Sequence, residues 1–370
     1  MQMITPLAQA ATVGSGSYRA DDVQLLLTPI ALEHTDPATK EHLIQSGQRH
    51  YSEMISVEQA PSPLQQQVYA QALQQGLPRL AREVQALALS LADYQQQLQQ
   101  PIMLVSLVRA GLPIGVMLKH ALHDLGCPVA HVGVSIIRDR GLDPLAYAWL
   151  RQRYAYAQLI FVDGWTGKGA IAQELQRSLG CDEQYDGVVR LVTLADVAGY
   201  AWLTASAEDW LIPSGVLGST VSGLISRTLY QAEQWHGCGI YTHLQAVDVS
   251  VSLIDQVNTA RRAIVASVSA ASWSADARLA QHQHAAAAIA WVAAHYQIAQ
   301  PNRIKPSLAE ATRAVMRRLP ERILLQQPDD PRTALLRHVA AQQGAVIEVV
   351  GQQIAPYHAI TLIQQRATSA

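Results

Sequence analysis

The stretch QLIFVDGWTGKGAI, Gln158–Ile171, decides the fold. Leu159–Val162 is a continuous apolar run, as expected of a strand buried on both faces. Asp163 stands at its carboxyl end. A loop with glycines at 164, 167 and 169 comes next, and then a helix-like segment. Glycines let a backbone approach a ligand closely and adopt positive φ. A helix N-terminus offers an anion free N–H groups and a favourable dipole. Thr166 adds a hydroxyl and Lys168 a full positive charge. Lys168 is one of only four lysines, with Lys40, Lys119 and Lys305, which strengthens the reading of a phosphate loop. Spacing excludes a Walker loop, because only Trp165 and Thr166 separate Gly164 from Gly167; a GxGxxG fingerprint is absent too. The bland alternative is a tight turn in which glycine serves packing.

The neighbouring segments repeat the pattern. Apolar runs at 102–108, 129–137, 159–162 and 188–194 alternate with helix-like segments at 112–125, 143–154 and 168–179. Such alternation predicts βαβ units and a parallel sheet, placed at residues 85–260. SLVRAGLPIG, Ser106–Gly115, is a second strand–loop–helix junction. Arg109 there presents a planar fork suited to phosphate oxygens. Two anion-seeking loops on neighbouring strand ends suggest one ligand with two separated phosphate groups. The plain alternative for Arg109 is an ion pair with a carboxylate.

The flanks differ. Residues 1–84 are expected to form an irregular and helical N-terminal extension, with Pro78 dividing the Leu-, Ala- and Gln-rich part of 64–100 into two helices. Residues 261–300 are expected to be a helical connector. Residues 301–370 are expected to be a smaller α+β module, with helices near 307–318 and 332–342 and strands near 345–350 and 358–363. That module is basic: residues 301–340 carry 8 Lys/Arg against 4 Asp/Glu, whereas residues 1–100 carry 5 against 9.

The chain has 370 residues, 49% hydrophobic and 15% charged, which excludes a disordered protein. A net charge of −2 gives no whole-chain field toward nucleic acid or anionic membrane, and neither partner is expected. The longest purely apolar run, Ala285–Ala294, is far short of the roughly 20 residues of a membrane span. The start MQMITPLAQAATVG lacks the basic and apolar regions of a secretory signal. Three cysteines, Cys127, Cys181 and Cys238, form no disulfide framework and no zinc pattern, so a reducing, cytoplasmic setting is the expectation.

On these residues the chain resembles the type I phosphoribosyltransferases. VDGWTGKGAI is similar to their diphosphate-sugar signature and LVRAGLPIG to their pyrophosphate loop. More narrowly, it resembles the bacterial family labelled both cysteine protease StiP and phosphoribosyltransferase-like. The matching stretches, in order, are GSGSYRADDVQLLL, IQSGQRHYSEM, VSLVRAGLPIGVMLK, VSIIRDRGLD, FVDGWTGKGAI, LIPSGVLGSTVSGLISRT and NRIKPSLAEATRAVMRRLP. The wider family is associated with tellurium-resistance and stress gene clusters.

The resemblance implies a type I phosphoribosyltransferase-like α/β fold, with phosphoribosyl pyrophosphate and Mg²⁺ as ligands. It implies transfer of the phosphoribosyl group to a base-like or nucleoside-like acceptor. Thr166, Gly167, Lys168 and Gly169 would cradle the 5-phosphate, and Asp163 would face the ribose. Arg109, Ala110 and Gly111 would hold the pyrophosphate, with Arg138 and Arg140 over the leaving group. Ser219, Thr220, Ser222 and Arg227, in LGSTVSGLISRT, would contact the acceptor. Type I relatives are often dimers. The chain departs from the signature at Gly164, which stands where a second acid is usual.

Two rival functions follow. The family's other label implies a cysteine protease, which needs a thiolate beside a histidine; the nearest such spacing is His236 and Cys238. A non-catalytic sugar-phosphate sensor is the third reading. His282 and His284, two apart, make a poor metal pair on a helix. RAVMRRLPER, Arg313–Arg322, could touch RNA or phosphate, but without an aromatic stacking platform it reads rather as a solvated helix face, and the roles of His50, Tyr51, Ser52 and Glu53 are left open.

Overall fold

The computed structural model describes residues 12–36, 39, 43, 48–318 and 320–364. The reading of the first 14 residues therefore falls almost wholly outside the described residues, as do residues 44–47 of the IQSGQRHYSEM stretch and Leu319 of the charge run.

The alternation of apolar runs and helices becomes a parallel sheet. In space its strands run Gln24–Leu25, Ala130–Ile137, Met103–Val108, Leu159–Val162, Leu191–Asp196 and Leu203–Ser206. Trp165–Thr166 continues alongside Leu191–Asp196. Met103–Leu107, Leu159–Val162 and Leu191–Asp196 are buried along their whole length. That follows from helices on both faces and explains runs without polar alternation. One face packs on the helices Pro63–Leu98, Gly111–Asp124 and Ser250–Arg262. The other carries Pro144–Arg151 and Ala170–Leu179.

Of the main strands, the second in sequence lies outside the first, while the third, fourth and fifth extend the other way. The direction reverses between Met103–Val108 and Leu159–Val162, and at such a switch point the crevice beyond the strand ends is where open α/β sheets bind ligands. The loops after these two strands are those beginning at Arg109 and Asp163.

Pro78 does not divide its helix. Pro63–Leu98 runs through it as one element, opened by a Ser62 capping box. Val68, Tyr69, Ala72 and Leu73 before the proline and Leu80, Val84, Leu87 and Leu91 after it belong to one core, and that packing outweighs the missing backbone bond. Residues 261–298 are not one helix either. Ser250–Arg262 ends there, residues 263–274 are non-helical, and Ala275–His295 follows, capped by Ser274.

The C-terminal module is a four-stranded sheet in the order Ile304–Pro306, Ala359–Ile363, Pro320–Leu325, Ile347–Val349, with helices Leu308–Arg317 and Ala334–Gln342. The strands Ile304–Pro306 and Pro320–Leu325 were not foreseen; the second replaces the end of the expected solvated helix. Asp209, 1% exposed, joins the module to the α/β domain by accepting hydrogen bonds from the amides of Leu308 at 2.7 Å and His358 at 2.9 Å. Among the described residues, no helix is long and apolar enough to cross a membrane.

Candidate functional site

The two switch-point loops touch. A β-carbon on Gly111 would lie 2.1 Å from the carbonyl oxygen of Val162, so this glycine serves the approach of one strand end to the other. Ala110 caps the helix Gly111–Asp124, and the Val108–Arg109 peptide is cis.

Arg109 already holds an anion. Its Nη1 donates to Glu58 Oε2 at 2.8 Å and to the carbonyl of Ile225 at 3.1 Å. The other oxygen, Glu58 Oε1, accepts from the Ser219 amide at 2.8 Å and its hydroxyl at 3.1 Å, and meets Arg317 Nη2 at 3.3 Å. Burial works against this carboxylate, yet Arg109, the Ser219 amide and Arg317 hold its pKa down at about 2. The expectation of an Arg109 free for pyrophosphate is thus corrected to an ion pair, the plainer of the two sequence readings.

Around this pair lies a cluster of further guanidiniums. Among the described residues, those of Arg227 and Arg313 have no hydrogen bond or carboxylate partner; Arg227 has only the Tyr51 ring, 5.9 Å away. Burial lowers the pKa of Arg313 to about 9, and the charges of Arg317 and Arg109 lower it further. Two unpaired cations beside a third are the strongest ligand-seeking feature of the cleft.

Asp163 sits at its strand end, partly buried, accepting only the next amide, Gly164 N, at 2.8 Å. Burial raises its carboxyl to about 7 against that hydrogen bond. A carboxyl poised near neutrality in a crevice is a functional candidate.

The expected phosphate loop is engaged by protein. Thr166 donates to Asp196 Oδ1 at 2.5 Å and accepts from the Ala198 amide at 3.1 Å. Gly167 gives its carbonyl to the Tyr357 hydroxyl, and a β-carbon there would lie 2.4 Å from Glu310 Oε2. Lys168 donates to the carbonyls of Pro301 and Ile304. Burial lowers its pKa to about 8, partly offset by Glu310. At Gly169 the space a side chain would need is filled by Tyr200. Four residues read as a phosphate cradle thus hold the C-terminal module and the adjoining 196–200 turn. The same glycines, hydroxyl and ammonium suit either task, so local sequence does not separate them.

Arg138 Nη1 donates to Asn302 Oδ1 at 2.7 Å, while Arg140 pairs with Glu53 and lies 4.0 Å over the Tyr230 ring. In the expected acceptor segment, Ser219–Val221 is a single 3-10 turn. Ser219 binds Glu58, Ser222 donates to Gly218 O at 2.9 Å, and the Thr220 hydroxyl is buried and unpartnered. Thr220 and Ser222 face inward, which corrects their reading as acceptor contacts; Arg227 is exposed in the cleft.

The thiol of the expected His236–Cys238 pair is not activated. Cys238 is fully buried; its Sγ lies 3.4 Å from Gly239 O, and burial raises its pKa. His236 turns instead to Ser135 Oγ at 2.8 Å. Cys181 is exposed and Cys127 partly buried. Among the described residues, no group of three His, Cys, Asp or Glu side chains is placed to hold a metal ion.

Sequence reading missed Glu58 and Glu310, and took Arg313 and Arg317 for a solvated face. Their i, i+4 spacing marks one helix face, but nothing local says that it meets Glu58, 259 positions from Arg317.

Comparison with known proteins places the chain. Residues 16–258 match the family described as "Tellurite-like stress resistance cysteine protease StiP". Residues 283–365 match the PELOTA RNA binding domain. A cysteine protease StiP of Acinetobacter baylyi is 49% identical over 365 residues, covering 95% of this chain and 94% of that protein. Among solved structures, the hypoxanthine phosphoribosyltransferase of Trypanosoma cruzi aligns with a TM-score of 0.28 at 13% identity, over 36% of this chain and 82% of that one. The same enzyme with its product IMP aligns with a TM-score of 0.28 at 14% identity, over 37% and 78%. With nearly its whole length matched at 49% identity, the chain belongs to the StiP family.

Proposed function

We propose that the switch-point cleft binds phosphoribosyl pyrophosphate and that the protein transfers its phosphoribosyl group to a small base-like or nucleoside-like acceptor. The observation that carries this reading is the pair of unpaired guanidiniums, Arg227 and Arg313, around Arg109, whose loop meets the Asp163 strand end through Gly111. Departure of diphosphate builds negative charge on the leaving oxygens and positive charge on the anomeric carbon. Preorganised guanidiniums stabilise the first. Asp163, in its ionised form, stabilises the second. Asp163 alone, with Gly164 in place of a second acid, does not make a protein-held Mg²⁺ site. The leaving charge therefore falls to the arginines.

The test is calorimetric titration with phosphoribosyl pyrophosphate, followed by an assay of diphosphate release with a metabolite mixture. Binding that weakens at least tenfold in Arg313→Ala and Arg227→Ala is expected, with release lost in Asp163→Asn. Absent binding, or binding indifferent to both arginines, overturns the reading. Binding without release in the wild type identifies a sensor.

The relatives' name supports a second reading, cysteine protease chemistry. Replacing Cys127, Cys181 and Cys238 together by Ser is expected to leave phosphoribosyl pyrophosphate binding intact. Self-cleavage or peptide cleavage that disappears in that variant favours the protease. The match of residues 283–365 to an RNA-binding domain adds RNA as a candidate partner of the basic module, tested by whether RNA competes in the same titration.

A further inference from the structure

Glu58 occupies the Arg109 site as a ligand would. Its two oxygens take a guanidinium from the switch-point loop, an amide and a hydroxyl from the 218–219 turn, and a guanidinium from the C-terminal module. Three segments far apart in the chain thus converge on one small anion. Gly218 is part of the fit: a β-carbon there would lie 1.9 Å from Glu58 Oε1. Glu58 itself comes from a stretch outside any helix or strand, between exposed Val57 and exposed Gln59 and Ala60, and its carbonyl accepts from His243 Nε2 at 3.0 Å. Amide, hydroxyl and paired guanidiniums are the donors that recognise phosphate oxygens.

We propose that Glu58 is an internal surrogate for the ligand's diphosphate end, and that this end binds by displacing it from Arg109, Ser219 and Arg317. This rests on the reading of the cleft as a diphosphate-sugar site. The exchange has two consequences. Arg317 passes from an internal carboxylate to the ligand, so the C-terminal module takes part in closing the site. The segment around Glu58 is released as the ligand enters, so the resting chain is self-blocked at Arg109.

The test uses inorganic pyrophosphate and the full chain. In calorimetry, Glu58→Gln keeps the side chain's size and removes its charge; it is expected to bind pyrophosphate at least tenfold tighter than the wild type, with the gain lost when Arg109→Ala is added. In the wild type, hydrogen exchange of backbone amides at 57–60 is expected to quicken at least fivefold on saturation with pyrophosphate. This second measurement holds even where the variant fails to fold. Equal or weaker binding by folded Glu58→Gln, or slowed or unchanged exchange at 57–60 in a saturated wild type, overturns the surrogate role while leaving the site reading intact. Pyrophosphate bound by neither protein also overturns it, and phosphoribosyl pyrophosphate titration then decides the broader reading separately.

Discussion

The hydroxyl of Tyr357 donates a 2.7 Å hydrogen bond to the carbonyl of Gly167, joining the C-terminal module to the glycine-rich loop across 190 positions of sequence. Tyr357 is fully buried, so its ring fills core volume while its hydroxyl meets a strand-end loop.

Replacing Tyr357 by Phe keeps the ring and strips the carbonyl of this partner. The Gly167 carbonyl is only partly buried, so the loss is the net worth of a typical hydrogen bond, about 0.5–1.5 kcal/mol. Urea denaturation is expected to show a loss of that order with an unchanged slope. A loss under about 0.5 kcal/mol, the low edge of a hydrogen bond's net worth, would show that the contact holds nothing together.

Asp163 predicts a pH dependence of stability. Its carboxyl keeps its proton to about 7 in the folded chain because burial disfavours the charge, and to about 4 when unfolded. Between those values the folded state binds more protons, so this residue lowers stability as pH rises from about 4 to 7 and adds nothing below. In Asp163→Asn that fall is absent. The melting temperature of the variant relative to the wild type is expected to climb across the window and to level off above 7. Glu83 and Asp209, also raised to about 7, titrate in both proteins and cancel. A difference independent of pH would mean that Asp163 is not held protonated.

The cysteines predict an order of modification. Exposed Cys181 is expected to be alkylated first in the native protein, and buried Cys238, its pKa raised, only on unfolding. Peptide mass mapping after timed iodoacetamide treatment reads this directly. Rapid native labelling of Cys238 would restore it as a nucleophile.

The strands at 103–108 and 159–162 and the helices after them were readable, because burial on both faces writes itself into consecutive apolar side chains. Asp163 and Arg109 were readable as strand-end residues for the same reason. Lys168 was readable as a cation in a glycine-rich loop; that it would face Pro301 and Ile304 was not.

The amino-acid sequence by itself determined the alternating architecture and which residues stand at the carboxyl ends of the strands. Those are local matters, settled by hydrophobic runs, glycine and helix starts within a few positions. Tertiary structure alone decided what each polar group meets. Glu58 is 51 positions from Arg109 and 259 from Arg317, and only folding brings them within reach. Charges attract whatever opposite charge the fold delivers, so a sequence announces an anion site without saying whether a ligand or the chain's own carboxylate fills it.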